Sequence, residues 1–333
     1  MTVTRAALAV VLTLGVLVAP LAAETQPPAK APRIGFLGGA SPSAASHFLD
    51  AFRRGLRERG YVEGQNIVIE YRWAEGRQER LPGLAAELVG LKVDVIVAAI
   101  TPAALAAKNA TTTIPIVMMV VNEPVRVGLV ASLARPGGNI TGLAAISDEL
   151  WPKQLELLKE AVPMVFRVAV LWNPANFSHG PALKGIVVAA RSLGMQPQLH
   201  EARGPDEFDS AFAAMTRARA GALLVVADTL FFLHRTRIAD LAAKARLPAM
   251  YGSREHVEVG GLLAYAADYA DLYRRGATYV DKILKGARPA GLPVEQPTKF
   301  ELVINLKTAK ALALTIPRSV LLRANRVIEE EKP

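Results

Sequence analysis

The chain contains no cysteine at all. No disulfide can form, so an oxidising compartment is tolerated but not required, and thiolate metal sites are excluded. Phosphate-cradling loops are missing too. Gly35–Phe36–Leu37–Gly38–Gly39 lacks the G-x-G-x-x-G spacing of a dinucleotide loop, and no G-x-x-x-x-G-K-[ST] string occurs. There is no G-x-S-x-G nucleophile elbow. The five histidines, His47, His179, His200, His234 and His256, stand at no metal-ligand spacing. Ser178–His179 are sequence neighbours, which says nothing of a triad assembled through space. The expectation is a chain that is not an enzyme and has no cofactor, metal or catalytic residue.

Clustered charge is also lacking. The formal charge is +9, but the basic residues, as in Arg53–Arg54, Arg57, Arg59 and Arg274–Arg275, are scattered at helical spacing. Nucleic-acid binding needs a basic face with interleaved aromatics, so none is expected. No helix-turn-helix precedes residue 33, which counts against a DNA-binding regulator.

Beyond the first segment no apolar run is long enough to span a bilayer. That segment has Arg5, an uncharged run from Ala6 to Val18, and the small-residue stretch Ala19–Pro20–Leu21–Ala22–Ala23. The pattern is that of a secretory signal peptide over residues 1–23, followed by a proline-bearing flexible lead over 24–32. The mature protein is expected in the periplasm.

What is present is ample apolar material, 51% of 333 residues, enough for two domains. Apolar strands alternate with amphipathic helices from Arg33 onward, as in Ile34–Leu37, then His47–Arg59 stopped by Gly60, then Asn66–Tyr71. Near-continuous apolar strands separated by helices indicate parallel sheets covered on both faces. After a connector near residue 145 the unit recurs. Val93–Val97, a helix and Ile114–Pro115–Ile116 are echoed by Ala222–Val226, a helix and Leu247–Pro248–Ala249. The fold class is therefore α/β, with two doubly wound parallel-sheet lobes. Residues 33–145 plus about 262–290 are assigned to lobe 1, and 146–261 plus about 298–333 to lobe 2. The chain then crosses a hinge about three times, which makes a clamp able to close on a ligand.

Five strings carry a family resemblance. They are Gly60–Tyr61–Val62–Glu63–Gly64–Gln65–Asn66, Glu70–Tyr71–Arg72–Trp73–Ala74–Glu75–Gly76, Thr111 to Val117, Arg135 to Gly142, and Gln296 to Asn305. Together they resemble ABC transporter substrate-binding proteins of the tryptophan/tyrosine-binding type, over about residues 33–330. The resemblance implies a type I periplasmic-binding-protein fold with a small molecule held between the lobes. It also implies delivery to an inner-membrane ABC permease with its ATPase, and cargo that is an amino acid, with an aromatic one in view, or a related small organic acid. Relatives often carry Gly–Asp–Pro where this chain has Asn122–Glu123–Pro124. A monomer is expected. A ligand-sensing clamp feeding a membrane receptor and a secreted α/β hydrolase-type enzyme are the alternative readings.

Independently of family, ligands of open parallel sheets bind beyond the carboxyl ends of the strands. Ser41, Thr101 and Pro102 lie at strand-to-helix junctions, where hydroxyls and unpaired N–H groups hold a carboxylate or merely cap a helix. Glu123 and Asp228 follow apolar strands and can face a ligand ammonium, with an ion pair to Arg126 as the alternative for Glu123. Asn122 and Asn173 share these loops. Trp73, Trp172, Phe177, Phe231 and Tyr251 sit at or near strand ends, placed either to sandwich a flat ligand or to fill the core. The ligand set read from the sequence is Ser41, Trp73, Thr101, Pro102, Asn122, Glu123, Asn173, Phe177, Asp228 and Tyr251.

Overall fold

The computed structural model describes residues 31–145, 150–176 and 179–329. The leader expected over 1–23, most of the lead, the connector at 146–149, Phe177 and the last four residues lie outside them.

The first half runs β1 (Arg33–Gly38), α1 (Ser46–Arg57), β2 (Val68–Trp73), α2 (Leu81–Gly90), β3 (Val95–Ala99), α3 (Thr101–Ala110), β4 (Ile116–Asn122) and β5 (Ile140–Ala145). The second runs α4 (Leu150–Ala161), β6 (Arg167–Trp172), α5 (His179–Ser192), β7 (Gln196–Glu201), α6 (Phe208–Arg217), β8 (Ala222–Val225), α7 (Thr229–Leu233), α8 (Arg235–Lys244), β9 (Ala249–Tyr251), α9 (Arg254–Glu258) and β10 (Leu263–Ala267). The tail adds α10 (Tyr269–Leu284), β11 (Phe300–Asn305), α11 (Leu306–Ala311), α12 (Arg318–Leu321) and β12 (Arg326–Ile328).

The strands form a five-stranded sheet of order β2-β1-β3-β4-β5 and a seven-stranded sheet of order β12-β11-β10-β9-β8-β6-β7. The winding β7-β6-β8-β9-β10 of the second repeats β2-β1-β3-β4-β5 of the first, which is the echo legible in the sequence. Pairing is parallel throughout the first sheet; β10 with β11 is antiparallel in the second. Strands β1, β3 and β8 are covered on both faces, so every residue from Val95 to Ala99 and from Ala222 to Val225 is buried.

One boundary differs from the sequence expectation. Residues 262–290 do not stay together. Strand β10 pairs with β9 and β11 inside the seven-stranded sheet, whereas α10 packs on α1 in the first lobe. An apolar strand pattern identifies a strand but not the sheet that accepts it. The chain thus passes between lobes after β5, at Asp268 and again between Glu295 and β11, Glu295 still pairing with Leu143 at the edge of the first sheet. The last two crossings run side by side, with Asp268 N–H donating to the Lys299 carbonyl at 3.0 Å and Lys299 Nζ donating to Asp271 at 2.9 Å.

Helix α1 buries Phe48, Leu49, Ala51, Phe52, Gly55 and Leu56, the stripe of an amphipathic helix. Gly55 is required there. A Cβ at this position would lie 2.3 Å from the Arg274 carbonyl of α10, so the two helices meet at backbone distance. This close approach locks the returning helix onto the first lobe and brings its first turns to the cleft.

Candidate ligand cleft

In a doubly wound sheet the crevice opens where strand order reverses, between β1 and β3 in one lobe and between β6 and β8 in the other. Both crevices face a shared cavity of about 140 Å³. Its walls come from the ends of β1 and β3 (Gly38, Gly39, Ile100, Thr101), from α1 and α10, and from the loops after β8 and β9.

The first lobe supplies an aromatic wall. In parallel register Gly38 stands opposite Trp73 and Phe36 opposite Tyr71, and residues two apart share a sheet face. The Trp73 ring lies 5.2 Å from Phe36 and parallel to Tyr71 at 6.4 Å. Any side chain at position 38 would meet the indole, since a Cβ there would fall 2.3 Å from it. Glycine therefore lets the indole lie against the strand end and border the cavity. Phe48 stacks on Tyr273 at 5.0 Å and meets Tyr269 edge-on at 6.3 Å, both from α10. Burial raises the pKa of Tyr269 to about 12 and raises that of Tyr273 further, so both phenols stay neutral.

The same lobe holds strained backbone. Ile100 has φ 76° and ψ 159°, a region that β-branched residues avoid, and Val120 and Glu123 also have positive φ. Such a conformation costs about 1–3 kcal/mol and persists where surrounding structure over-determines it, commonly at ligand sites. Its consequence here is placement. The Ile100 N–H donates to Met119, and the chain then turns into α3 with Thr101 and Pro102 facing the cavity. The Thr101 hydroxyl accepts the Asn122 N–H at 3.0 Å, which leaves its own hydrogen to donate.

The second lobe supplies an ordered polar wall. The Asp228 side chain is fully buried and caps α7 through the Leu230 N–H at 2.8 Å. It also accepts from Asn173 Nδ2 at 3.2 Å and Asn176 Nδ2 at 2.7 Å. His179 backs this network. Its Nδ1 accepts the Asn173 N–H and its Nε2 faces the Ala227 carbonyl, an arrangement that fixes the Nε2–H tautomer. Burial lowers the His179 pKa against the opposing pull of Asp228, so the ring is neutral. The lobes touch through Phe48 and Phe232, stacked at 6.0 Å, and through His47 Nε2 and Glu255 Oε1 at 2.9 Å.

Five residues singled out from the sequence line this cavity: Trp73, Thr101, Pro102, Asn122 and Asp228. Asp228 borders it differently from expectation, its carboxylate being turned inward and engaged with Asn173, Asn176 and Leu230 rather than presented to a ligand. Asn173 lies behind the wall as a buried partner of Asp228. Ser41 makes a turn, accepting the Ala44 N–H at 3.3 Å, and Glu123 sits 3.9 Å from Arg126. Tyr251 is wholly buried in β9 and stacked on His256 at 4.7 Å; Phe231 is likewise core, packed on Phe208. Sequence reasoning missed Phe48, Phe232, Tyr269 and Tyr273, and it did not choose Asn176 or Ser253. The four-residue spacing of Tyr269 and Tyr273 marks one helix face, but not the face of which lobe. None of the described lining residues is Lys or Arg. Among the described residues, no helix is long and apolar enough to cross a membrane and no His/Asp/Glu cluster could hold a metal.

Comparison with known proteins agrees with the two-lobed α/β fold. The family model described as ABC transporter substrate binding protein matches residues 41–328. A curated relative, "Tyrosine-binding protein" of Clostridioides difficile, is 29% identical over 262 residues, covering 78% of this chain and 75% of the relative. Among solved structures, a conserved domain protein from Vibrio cholerae is 30% identical with a TM-score of 0.84, over 90% of this chain and 100% of that one. An ABC domain from Streptococcus pneumonia in complex with L-Trp is 29% identical with a TM-score of 0.83, over 89% and 99% of the two chains.

Proposed function

The chain belongs to the ABC transporter substrate-binding proteins, two-lobed α/β proteins that capture a small molecule outside the cytoplasm for an ABC importer, and on that premise we propose that its cargo is an aromatic amino acid. The observation that carries this reading is the composition of the cleft. Trp73, Phe48, Tyr269 and Tyr273 of one lobe and Phe232 of the other surround a single cavity, and flat rings gain most from such faces. The ligand carboxylate is assigned to the first turn of α3, where Thr101 donates and the helix dipole favours an anion. The names of the tyrosine-binding and L-Trp-bound relatives support the same class.

In this proposal the protein is exported by its leader, acts as a monomer and presents both lobes to a permease coupled to an ATPase. It releases its cargo unchanged. A pair such as Ser253 and His256, 2.9 Å apart, superficially suggests hydrolysis. Yet burial lowers the His256 pKa to about 4, which makes it a poor base, and the Glu255 carboxylate is bound by His47 rather than by that ring.

A thermal-shift screen of residues 24–333 against the amino acids and small carboxylates tests the reading. A ligand at 100 times its Kd adds about 2.7 kcal/mol, a rise of several degrees. Stabilisation by L-tryptophan or L-tyrosine is the expected outcome. A response confined to non-aromatic solutes would overturn the cargo assignment.

A further inference from the structure

Helix α7 has only five residues and cannot hold its shape alone, so its surroundings must hold it. Asp228 caps its start, Phe231 anchors it in the core of the second lobe, and Thr229 and Phe232 border the cavity. Arg235 braces its far end. The Arg235 Nη1 donates to the Phe232 carbonyl at 3.1 Å, and the guanidinium lies over the Phe232 ring at 5.0 Å. Leu233 remains, and it joins neither that core nor the cavity wall.

Its partner is in the first lobe. A Cβ at position 76 would lie 2.7 Å from Leu233 Cδ1, so the leucine methyl rests on the bare backbone of Gly76, in the loop after β2. That loop is a firm seat. The N–H groups of Ala74, Glu75 and Gly76 donate to the carbonyls of Gly38, Ala40 and Gly39 at 2.9, 3.3 and 2.8 Å, which ties it to the end of β1. Gly76 does not border the cavity either. The two residues thus touch each other and not the ligand space. They belong to lobes joined through the hinge crossings, so opening of the clamp parts them.

We propose that Leu233 seated on Gly76 is an affinity-determining contact outside the ligand cavity, made in the closed clamp alone, that slows release of the cargo. A contact present in one state and absent from the other shifts their balance by its own free energy. The cargo escapes when the clamp opens, so the contact acts on release and leaves encounter alone. This inference rests on capture between the lobes and not on which solute is captured.

Association and release rates of L-tryptophan and L-tyrosine are measured by stopped flow on the wild type, Leu233→Ala, Leu233→Met, Gly76→Ala and the Gly76→Ala/Leu233→Ala pair. Leu233→Ala is expected to weaken binding about fivefold through faster release, with association within about twofold of wild type. Leu233→Met, which keeps the apolar bulk, should restore the wild-type rate. Gly76→Ala should cost a similar factor, because its methyl turns the leucine off the seat, yet add nothing in the Leu233→Ala background. Gly76 has a φ of 82°, and the strain of alanine there is present open or closed, so it lowers stability without entering affinity. Release unchanged in Leu233→Ala, a loss carried by slower association, or full additivity of the two substitutions would each overturn the inference. A folded wild type that binds neither amino acid refutes the cargo reading instead, and the contact is then tested without ligand. The chain has no cysteine of its own, so Gly76→Cys/Leu233→Cys gives a short thiol-to-thiol cross-linker two targets only. Lobes that open and close within milliseconds are trapped when they meet. Joining of the two within one chain supports the contact, and cysteines that react singly but are never joined refute it.

Discussion

The two lobes share a winding but divide the labour of the cleft between them. The first offers ring faces and strained backbone: Trp73 laid over Gly38, Phe48 between the α10 tyrosines, and Ile100 at a φ of 76°. The second offers hydrogen bonds already made: Asp228 held by Asn173, Asn176 and its own helix, and Ser253 held by His256. The contrast teaches where each contribution to binding comes from. Aromatic faces gain on contact and lose little when empty. A polar wall must be satisfied before the ligand arrives, because an unpartnered buried group costs about 1–3 kcal/mol. Affinity is therefore expected to depend chiefly on the first lobe, and fold stability and selectivity on the second.

The sharpest way to break this division is Asp228→Ala. It removes a helix cap and takes a buried acceptor away from the Asn173 and Asn176 amides, so the chain should lose about 3 kcal/mol of stability and melt several degrees lower by calorimetry. A loss confined to ligand affinity would mean that the carboxylate faces the ligand after all.

Of similar size is an acid effect. A histidine buried as the neutral ring has its folded pKa below its unfolded value. The unfolded chain then takes up a proton near pH 6.5 that the folded chain refuses until about pH 4. Stability from this group is intact above pH 6.5 and falls by roughly 3 kcal/mol as the pH drops to 4. His256→Phe should flatten that part of the pH–stability curve, as denaturant titrations across the window would show. A curve of unchanged slope would place the ring in water.

A smaller effect separates affinity from fold. Trp73→Leu keeps apolar bulk at the end of β2 but removes the ring face, and should weaken aromatic amino acid binding by about tenfold with a smaller stability change than Asp228→Ala. The smallest effect belongs to the contact joining the lobes. The Glu255 carboxylate, pushed up by burial, is brought below its usual range by the hydrogen bond from His47. His47 is over a third exposed, so solvent screens the pair, and His47→Ala should reduce affinity by no more than about fivefold. A larger loss by titration calorimetry would make the pair a principal clasp of the closed clamp.

Much of this was legible in the amino-acid order, and for a physical reason. Strands β1, β3 and β8 are buried on both faces and therefore read as unbroken apolar runs, and the rule of carboxyl-end binding then points to Thr101, Asn122 and Asp228. Trp73 followed from its place at a strand end. What stayed hidden depended on distance or on rotamer. Tyr269 and Tyr273 reach the cleft because α10 returns to the first lobe, a choice made by the Gly55 contact across more than 200 residues of chain. Strand β10 looks alike whichever sheet accepts it. The inward turn of Asp228 is set by Asn173 and Asn176, whose amides have no periodicity to announce them. Glu123 is the opposite case, since the ion pair with Arg126 three residues on stood in the sequence as the open alternative to a ligand contact.

Titration calorimetry with L-tryptophan and L-tyrosine on the wild type and Trp73→Leu tests the central claim most directly. Capture of an aromatic ring between the lobes predicts one site per chain for at least one of the two, with affinity lowered about tenfold by the substitution. Binding untouched by loss of the indole, or no heat from either amino acid while another solute binds, would contradict it.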